Sequence, residues 1–461
     1  MRKNGYAVEP VTALIEETAL FRALDTSMAA FDPFEPQPHL AVALSGGSDS
    51  MALVLLINVW ALTCGGQITA LTVDHKLRPE SSFEAERVKE WMQRSGIRHQ
   101  ILSWSGTKPK TAIQSQARNI RYQLIDDWCR DNHVLHVLLG HTADDQAETY
   151  IMRLFRKSRP AGLSGMSSIR ELKHCRLLRP LLSTRRQMLR NFLTHSGQNW
   201  LDDPSNKDHR YSRTRARSMI ESGFFSTDSL CETARDYGHL RIDAEEAIDQ
   251  FLTSAGSLDP AGYFIINRMS LRSVENDTGL LALGRAIASV GGNWHIPNFT
   301  SLKNILEFCV GSSLKPRTLG RCLIIPKPSE IIICREARNL PDAQRLVKRT
   351  SFLWDGRVRV TVGSIPRGYW RIGTAGSLAW AEKGPQNWEY MQWRALPKPV
   401  RMSLPVLIGP MGVFSAPLLT YNCSRVEGVD VKMVFQPNRP LSFAGFCVAN
   451  SDCLSISIGN I

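Results

Sequence analysis

The chain has 461 residues, more than one ordinary hydrophobic core can organise, and this length predicts about three domains. Its 56 Lys and Arg residues against 43 Asp and Glu residues give a net charge of +13, which favours nucleic acid over a membrane surface as partner.

The N-terminus lacks the apolar stretch of a signal peptide, and the longest apolar run, residues 51–64, is too short to span a bilayer. We therefore expect a cytoplasmic protein with no membrane partner. The ten cysteines form no CxxC pair, which favours reduced thiols and excludes the usual zinc motifs.

A serine- and glycine-rich loop, residues 45–50, organises the first half of the chain. The apolar run at residues 39–44 predicts a buried strand before the loop, and the apolar residues after it predict a helix. Gly46 and Gly47 would let backbone N–H groups and the helix N-terminus converge on a phosphate. Asp49 is unfavourable beside phosphates unless a divalent cation bridges them, so the loop predicts a nucleotide bound with magnesium. The loop matches neither the Walker A nor the GxGxxG pattern, and the plain alternative is a connecting turn without chemistry.

Apolar strands and amphipathic helices then alternate. Further strands are predicted at residues 67–73, 97–102 and 134–140, and further helices at 82–95 and 113–131. This alternation predicts an α/β fold with a doubly wound parallel sheet. In the strand order 3-2-1-4, the C-terminal ends of strands one and four would face one ligand-binding crevice.

Three acidic residues follow the fourth predicted strand: Asp144, Asp145 and Glu148. The spacing places Glu148 on the same helical face as one of the two aspartates. Carboxylates at a phosphate-binding crevice could hold magnesium, bind a substrate ammonium group, or accept a proton from an amine nucleophile. The alternative is an acidic helix start that the helix dipole favours.

Polar residues of two other segments are candidates for the rim of this crevice. Asp74 and His75, with Arg78 close behind, follow the second predicted strand. Arg118 and Arg121 lie in a predicted helix, where a guanidinium would match a phosphate or carboxylate. Ordinary loop polarity and a solvated helix face are the alternatives.

Basic residues accumulate from Arg153 to Arg217 with few acids between them. A dense basic segment beside a nucleotide site is the pattern expected of a surface that contacts a phosphate backbone. The alternative is a solubilising surface. Four of its arginines are the candidate RNA contacts, namely Arg185, Arg186, Arg213 and Arg215, although some could instead pair with nearby aspartates.

Seven segments in order resemble the tRNA(Ile)-lysidine synthetase family of PP-loop ATP pyrophosphatases. They are SGGSDS, VDHKLRPES, QARNIRY, HTADDQAET, GLSGM, RPLL and DPSN, within about residues 39–217. The resemblance implies a PP-loop fold for the doubly wound sheet. One segment departs from it, because residues 156–159 read Arg-Lys-Ser-Arg where the family commonly has Arg-Gly-Ser-Gly.

The resemblance also implies an activity: ATP adenylates the wobble cytidine of tRNA(Ile) with a CAU anticodon, and L-lysine then displaces AMP. The lysidine formed pairs with adenosine, which changes the codon read from AUG to AUA. ATP and Mg²⁺ are the implied cofactors, and a homodimer is left open as the assembly. Together, the residue patterns and the resemblance give the candidate site residues: the ATP-binding Ser45, Gly46, Gly47, Ser48, Asp49 and Ser50, the catalytic Asp49, Asp144, Asp145 and Arg118, the Mg²⁺ ligand Asp49, the nucleotide or lysine contacts Asp74, His75, Arg121 and Glu148, and the tRNA contacts Arg185, Arg186, Arg213 and Arg215.

The second half is predicted to be a mixed, mostly helical region followed by a β-rich region with a hairpin near residues 321–335 and a strand at 357–362. A strand is also expected at residues 263–271. The expected divisions are a leader helix segment at 1–38, the catalytic domain at 39–220, a tRNA-binding domain at 221–317 and a β-rich domain at 318–461. Two rival functions share the first-half motifs: a tRNA thiolase of the same superfamily, and a catalytically silent RNA-binding protein.

Overall fold

The computed structural model describes residues 18–76, 80–104, 113–202, 212–378, 390–410, 412–419, 421–422 and 428–449. The chain forms two compact units, one of residues 1–243 with 444–461 and one of residues 244–443. No helix within the described ranges is long and apolar enough to cross a membrane.

The first unit is an α/β fold. Its helices are α1 (Ala19–Ala29), α2 (Ser48–Thr63), α3 (Ser81–Arg94), α4 (Ile113–Asn132), α5 (Ala143–Phe155), α6 (Pro160–Leu163), α7 (Arg186–His195), α8 (Ser212–Glu221) and the start of α9 (Thr227–Ala255). Its strands are β1 (His39–Ala43), β2 (Gln67–Asp74), β3 (Arg98–Ser103), β4 (His136–Leu139), β5 (Ile169–Glu171) and β6 (Arg176–Leu178).

The sheet order is β3-β2-β1-β4-β6-β5, so the predicted 3-2-1-4 arrangement is confirmed. Strands β1, β2, β3, β4 and β6 run parallel, and only the edge strand β5 is antiparallel. Alternate residues of β1 enter two different cores: Leu40 and Val42 pack with α2, whereas Ala41 packs with α4. Both faces of the sheet are therefore covered, which is why its strands read as continuous apolar runs.

The second unit contains the rest of α9, then α10 (Arg268–Ser273), α11 (Asn276–Gly291), α12 (Phe299–Val310), α13 (Tyr390–Ala395) and α14 (Lys398–Ser403). Its strands are β7 (Gly256–Asp259), β8 (Tyr263–Asn267), β9 (Arg317–Leu319), β10 (Cys322–Pro326), β11 (Glu330–Arg335), β12 (Gln344–Arg345), β13 (Thr350–Trp354), β14 (Val358–Ser364), β15 (Arg371–Thr374), β16 (Pro405–Gly409), β17 (Gly412–Ala416), β18 (Tyr421–Asn422) and β19 (Asp430–Phe435).

These strands form three antiparallel sheets, so the predicted β-rich region and its β10–β11 hairpin are confirmed. The sheet β7-β8-β11-β10-β9 joins strands from both sides of residue 317, where the sequence suggested a boundary. The four-part division of the chain stays a prediction.

The helix predicted in the leader segment at residues 1–38 is present as Ala19–Ala29, and residues before 18 lie outside the described ones. One element prediction was partly wrong. The strand expected to continue to Leu271 ends at Asn267, because the Asn267 side chain accepts a hydrogen bond from the Ser270 amide and starts a helix there.

The last described stretch, residues 444–449, belongs to the first unit. The Ser168 amide donates to the Cys447 carbonyl at 2.9 Å, and the Cys447 amide donates to the Ser167 hydroxyl at 3.0 Å. Phe446 is buried, with the Arg241 guanidinium 4.4 Å from its ring centre. Residues 444–449 therefore help to hold the fold that carries the site.

Candidate active site

The loop between β1 and α2 has the shape expected of a phosphate cradle. Gly46 has φ = +86°, and a Cβ there would lie 2.7 Å from Leu201 and 2.8 Å from Val88, so only glycine fits. The Ser50 hydroxyl donates to the Gly47 carbonyl at 3.0 Å and lies 3.1 Å from the Ser45 hydroxyl. The loop is thus fixed from within, and the amides at the start of α2 point to the same end of the sheet.

A second glycine brings β4 close to this loop. A Cβ on Gly140 would lie 3.0 Å from the Asp49 carbonyl group, which is backbone that cannot move aside. The two strand ends are therefore in contact, as the strand order predicted.

Helix α5 begins directly after Gly140 with a capping box. The Asp145 amide donates to the Thr142 hydroxyl at 3.4 Å, and the Thr142 amide donates to Asp145 Oδ2 at 2.9 Å. Asp145 therefore fixes the helix start with one oxygen and presents the other to the crevice.

Asp144 faces a different element. Its Oδ2 accepts a hydrogen bond from the Arg186 amide at 2.7 Å, at the first residue of α7. The helix dipole of α7 favours a carboxylate at this position. Asp144 therefore positions α7, whereas Asp145 lines the cavity of the crevice.

Arg186 connects the loop carboxylate to the acidic pair on α5. Its Nε donates to Asp49 Oδ2 at 2.9 Å, its Nη2 to Asp145 Oδ1 at 2.8 Å, and its Nη1 lies 3.5 Å from Glu148 Oε1. Although burial would lower it, the pKa of Arg186 is raised by Asp145 and Asp49.

Two arginines of α8 complete the ion-pair network. Arg213 donates to Glu148 Oε2 at 2.6 Å and to Asp145 Oδ1 at 2.8 Å, and Arg217 donates to Glu148 Oε1 at 2.8 Å. Glu148 is only 1% exposed, so these guanidinium groups replace the water that its carboxylate would otherwise contact. Three carboxylates and three guanidinium groups thus balance one another at the centre of the crevice.

The pKa values of Asp49 and Asp145 are shifted in opposite directions. Burial raises the pKa of Asp49, and Arg186 only partly opposes that effect. Burial would also raise the pKa of Asp145, but Arg213 and Arg186 outweigh it and lower the pKa. Asp145 is therefore held as an anion, and Asp49 is the carboxylate more easily protonated.

The predicted rim residues differ in their contacts. Asp74 accepts hydrogen bonds from Ser82 at 2.6 Å, Ser81 at 2.8 Å and the Lys76 amide at 2.9 Å, so it ties β2 to the start of α3. His75 lines the cavity, and neither of its ring nitrogens has a hydrogen-bond partner among the described residues. Burial lowers the pKa of His75, which is therefore a neutral ring available to a ligand. Arg78 lies outside the described residues.

Arg118 and Arg121 of α4 also line the cavity. The Arg118 guanidinium lies 5.6 Å from the centre of the Tyr122 ring, one helical turn further along α4. The cavity has a volume of about 620 Å³ and includes the serines of the loop, His141, Arg186 and Arg213. This volume is within the range of about 300–1,000 Å³ that is usual for small-molecule sites.

The four candidate RNA contacts do not share one environment. Arg186 and Arg213 lie in the carboxylate network, so the expected open basic surface does not include them in this state. Arg185 pairs with Asp228 at 3.0 Å, and Arg215 is exposed. Contact of these residues with tRNA stays a prediction.

Residues 156–159, which read Arg-Lys-Ser-Arg where the resembled family commonly has Arg-Gly-Ser-Gly, follow α5 in a hydrogen-bonded turn. Lys157 has φ = +51°, its amide donates to the Leu154 carbonyl at 2.9 Å, and the Ser158 amide donates to the Arg153 carbonyl at 3.0 Å. These two bonds make a Schellman motif with Lys157 at the left-handed position that usually carries glycine. The loop thus closes α5 in the same way that a glycine would.

The sequence analysis did not name two residues of the site, Leu201 and Arg217, as individual candidates. Leu201 covers the loop, and its amide donates to the Gly46 carbonyl at 2.8 Å. Arg217 was one of many basic residues, and only its pairing with buried Glu148 distinguishes it. Leu201 carried no sequence signal, whereas the four-residue spacing of Arg213 and Arg217 could have indicated a shared face.

The comparisons with known proteins agree with this geometry. Residues 20–222 match the family model of the PP-loop domain. The tRNA(Ile)-lysidine synthase of Orientia tsutsugamushi is 32% identical over 346 residues, covering 72% of this chain and 78% of that protein. The tRNA(Ile)-lysidine synthase of Hyphomonas neptunium is 35% identical over 309 residues, covering 66% of this chain and 83% of that protein. Among solved structures, a U34-tRNA thiolase from Methanococcus maripaludis aligns over 48% of this chain and 77% of its own with a TM-score of 0.42 and 16% identity, which is too distant to bear on function.

The parallel sheet, the glycine-serine loop at the end of β1 and the family match define the first unit as a PP-loop, ATP-binding domain. With relatives above 30% identity over more than two thirds of their length, the chain belongs to the tRNA(Ile)-lysidine synthase family, a family of ATP-dependent ligases.

Proposed function

We propose that this chain joins L-lysine to C2 of the wobble cytidine of tRNA(Ile) with a CAU anticodon. ATP is consumed, AMP and pyrophosphate leave, and the codon read changes from AUG to AUA. The observation that carries the proposal is one cavity lined by the PP-loop, by the carboxylate of Asp145 and by the guanidinium groups of Arg118 and Arg121. The names of the relatives support this choice of substrate.

The first step is adenylation of the base. The cytidine O2 attacks the α-phosphorus of ATP, and the bond to the β-phosphate oxygen breaks to release pyrophosphate. The hydroxyls of Ser45 and Ser48 and the amides at the start of α2 would bind the leaving pyrophosphate and stabilise its charge. Arg118 and Arg121 face the same cavity and would contact the remaining phosphate.

Mg²⁺ fits this site as a partner of the phosphates. The described residues contain no group of three or more acidic, His or Cys side chains placed to hold a metal by themselves. One or two carboxylates together with phosphates and water are the usual Mg²⁺ ligands, and Asp49 is the carboxylate next to the loop. Bound there, the ion would neutralise charge on the leaving group.

The second step is attack of a lysine amine on C2, with the oxygen leaving on AMP. A lysine amine has a pKa near 10.4, so its deprotonation at pH 7 costs roughly 4–5 kcal/mol. Asp145 is the candidate proton acceptor because it lines the cavity, whereas Asp144 holds α7. Two neighbouring guanidinium groups lower its pKa, so movement of Arg186 toward ATP phosphates would make Asp145 a stronger base.

The test is incubation of the purified chain with ATP, Mg²⁺, radiolabelled lysine and total tRNA. Label in RNA supports the proposal, and its absence refutes it. With lysine withheld, adenylated tRNA and pyrophosphate should still form, because activation precedes attack. ATP-dependent transfer of sulfur would point to the thiolase rival, and RNA binding without pyrophosphate release would point to a silent binding protein.

Asp49→Ala should abolish pyrophosphate release while the fold survives, because the loop is held by serine and backbone bonds. The matched control is Asp127→Ala, which removes an exposed aspartate paired with Arg130 at the same unit's surface. Normal turnover by a folded Asp49→Ala variant would contradict the assignment of the loop.

A further inference from the structure

The end of α5 presents an aromatic ring to solvent in a basic setting. Phe155 is 63% exposed and its neighbour Leu154 is 42% exposed. Arg156 and Lys157 follow, both exposed, and neither takes part in an ion pair among the described residues. No acidic residue occurs between positions 149 and 170.

This surface lies at the C-terminal end of α5, the helix that begins beside the crevice. Glu148 and Phe155 are seven residues apart, which brings them within about 20° of the same helical face and about 10.5 Å apart along the axis. Glu148 is the residue to which Arg213 and Arg217 of the crevice are paired. The ring therefore lies about two helical turns along α5 from the buried ion pairs of Glu148.

We infer that Phe155, Arg156 and Lys157 form a stacking surface for an unpaired nucleotide of the bound tRNA. The inference rests on the proposed function and adds a specific contact to it. Single-stranded nucleotides are bound by aromatic rings that stack on bases beside cations that contact phosphates. The exposed ring supplies the first element and the two basic side chains supply the second.

The turn at the end of α5 fixes the backbone of Arg156 and Lys157 relative to that of Phe155. The Schellman motif at Lys157 fixes the turn after Phe155. Arg153, in contrast, is used internally, since its Nη1 donates to the Gly162 and Gly165 carbonyls at 2.8 Å. Basic residues also stabilise a helix C-terminus, but that role does not require an exposed phenylalanine beside them.

Another exposed phenylalanine of the same unit provides a matched control. Phe83 on α3 is 73% exposed, but it lies between Glu80 and Glu84, where the local charge would repel a phosphate backbone. Truncation of either ring removes an exposed side chain and leaves the cores unchanged. A difference between the two variants therefore reports on the RNA contact.

The experiment measures the affinity of the full chain for a tRNA(Ile) transcript with a CAU anticodon, using Phe155→Ala, Phe155→Trp and Phe83→Ala. Base stacking on an aromatic ring contributes about 1–3 kcal/mol, so Phe155→Ala should weaken binding roughly 5- to 150-fold. Phe155→Trp should bind as tightly as wild type, and so should Phe83→Ala. ATP affinity should be unchanged in all three.

Two further measurements separate stacking from other roles. A 2-aminopurine base placed at each unpaired position of the tRNA in turn should be quenched at one position by wild type and by Phe155→Trp, but not by Phe155→Ala. Arg156→Gln and Lys157→Asn should each lower the slope of log affinity against log salt by about 0.7–0.9, because one counterion fewer is released. Asn is chosen at position 157 because it tolerates φ > 0.

The outcomes are distinct. If wild type binds no tRNA, both the proposed function and this inference fail. If wild type binds tRNA but Phe155→Ala binds it equally well, the stacking surface alone is refuted. A Phe155→Ala variant that changes only the oligomeric state would also overturn the inference and identify the surface as a contact between two copies of the chain.

Discussion

Neutralising Glu148 is the most direct test of the ion-pair network. Glu148→Gln keeps the shape and one acceptor oxygen but removes the charge that faces Arg213 at 2.6 Å and Arg217 at 2.8 Å. Loss of one partner of a buried ion pair costs about 3–5 kcal/mol. The two arginines are 41% and 26% exposed and can regain water, so we expect the low end, about 3 kcal/mol.

Thermal unfolding of the full chain at pH 7 measures this loss. For a unit of this size about 3 kcal/mol corresponds to a decrease in Tm of roughly 6–12 °C. The matched control is Glu86→Gln, which neutralises an exposed pair with Lys89 at 2.9 Å and should cost at most about 0.5 kcal/mol. Equal Tm values for the two variants would show that Glu148 is not held by buried charge pairs and would refute the reasoning.

Three further predictions concern stability. Lys157→Gly should stabilise the fold by roughly 0.5–1 kcal/mol, because relief of the left-handed strain of about 1–2 kcal/mol exceeds the entropic cost of glycine; a lower Tm would contradict the Schellman assignment. Phe446→Ala should lower the Tm by several degrees through loss of a buried ring beside Arg241, and an unchanged Tm would show that the C-terminal stretch does not support the first unit. Burial would raise the pKa of Asp74, but its hydrogen bonds lower the pKa below the unfolded value, so its contribution is complete above about pH 4 and is lost as the pH falls through the folded pKa. Urea unfolding at pH 7 and pH 3 should therefore show a smaller difference between wild type and Asp74→Asn at pH 3, and a constant difference would exclude this linkage.

The sequence was sufficient where the signal is local. The period of apolar residues located the strands and helices of the first half within a few positions, because burial on both faces of a parallel sheet requires continuous apolar strands. The loop at residues 45–50 was visible because phosphate binding needs glycines and hydroxyls in one short segment. The strand order then followed from the general rule for doubly wound sheets, which placed two distant segments at one crevice.

Only the tertiary structure decided what the charged side chains contact. Spacing alone could not separate Asp144 from Asp145, since that choice depends on where α7 begins, and Arg186 reaches Asp49 across 137 residues of sequence. Lys157 at a left-handed position is a similar case, because the turn geometry overrides the preference of the residue. Sequence periodicity encodes which residues are buried, whereas the pairing of charges is set by how separate elements pack, and no local pattern carries that information.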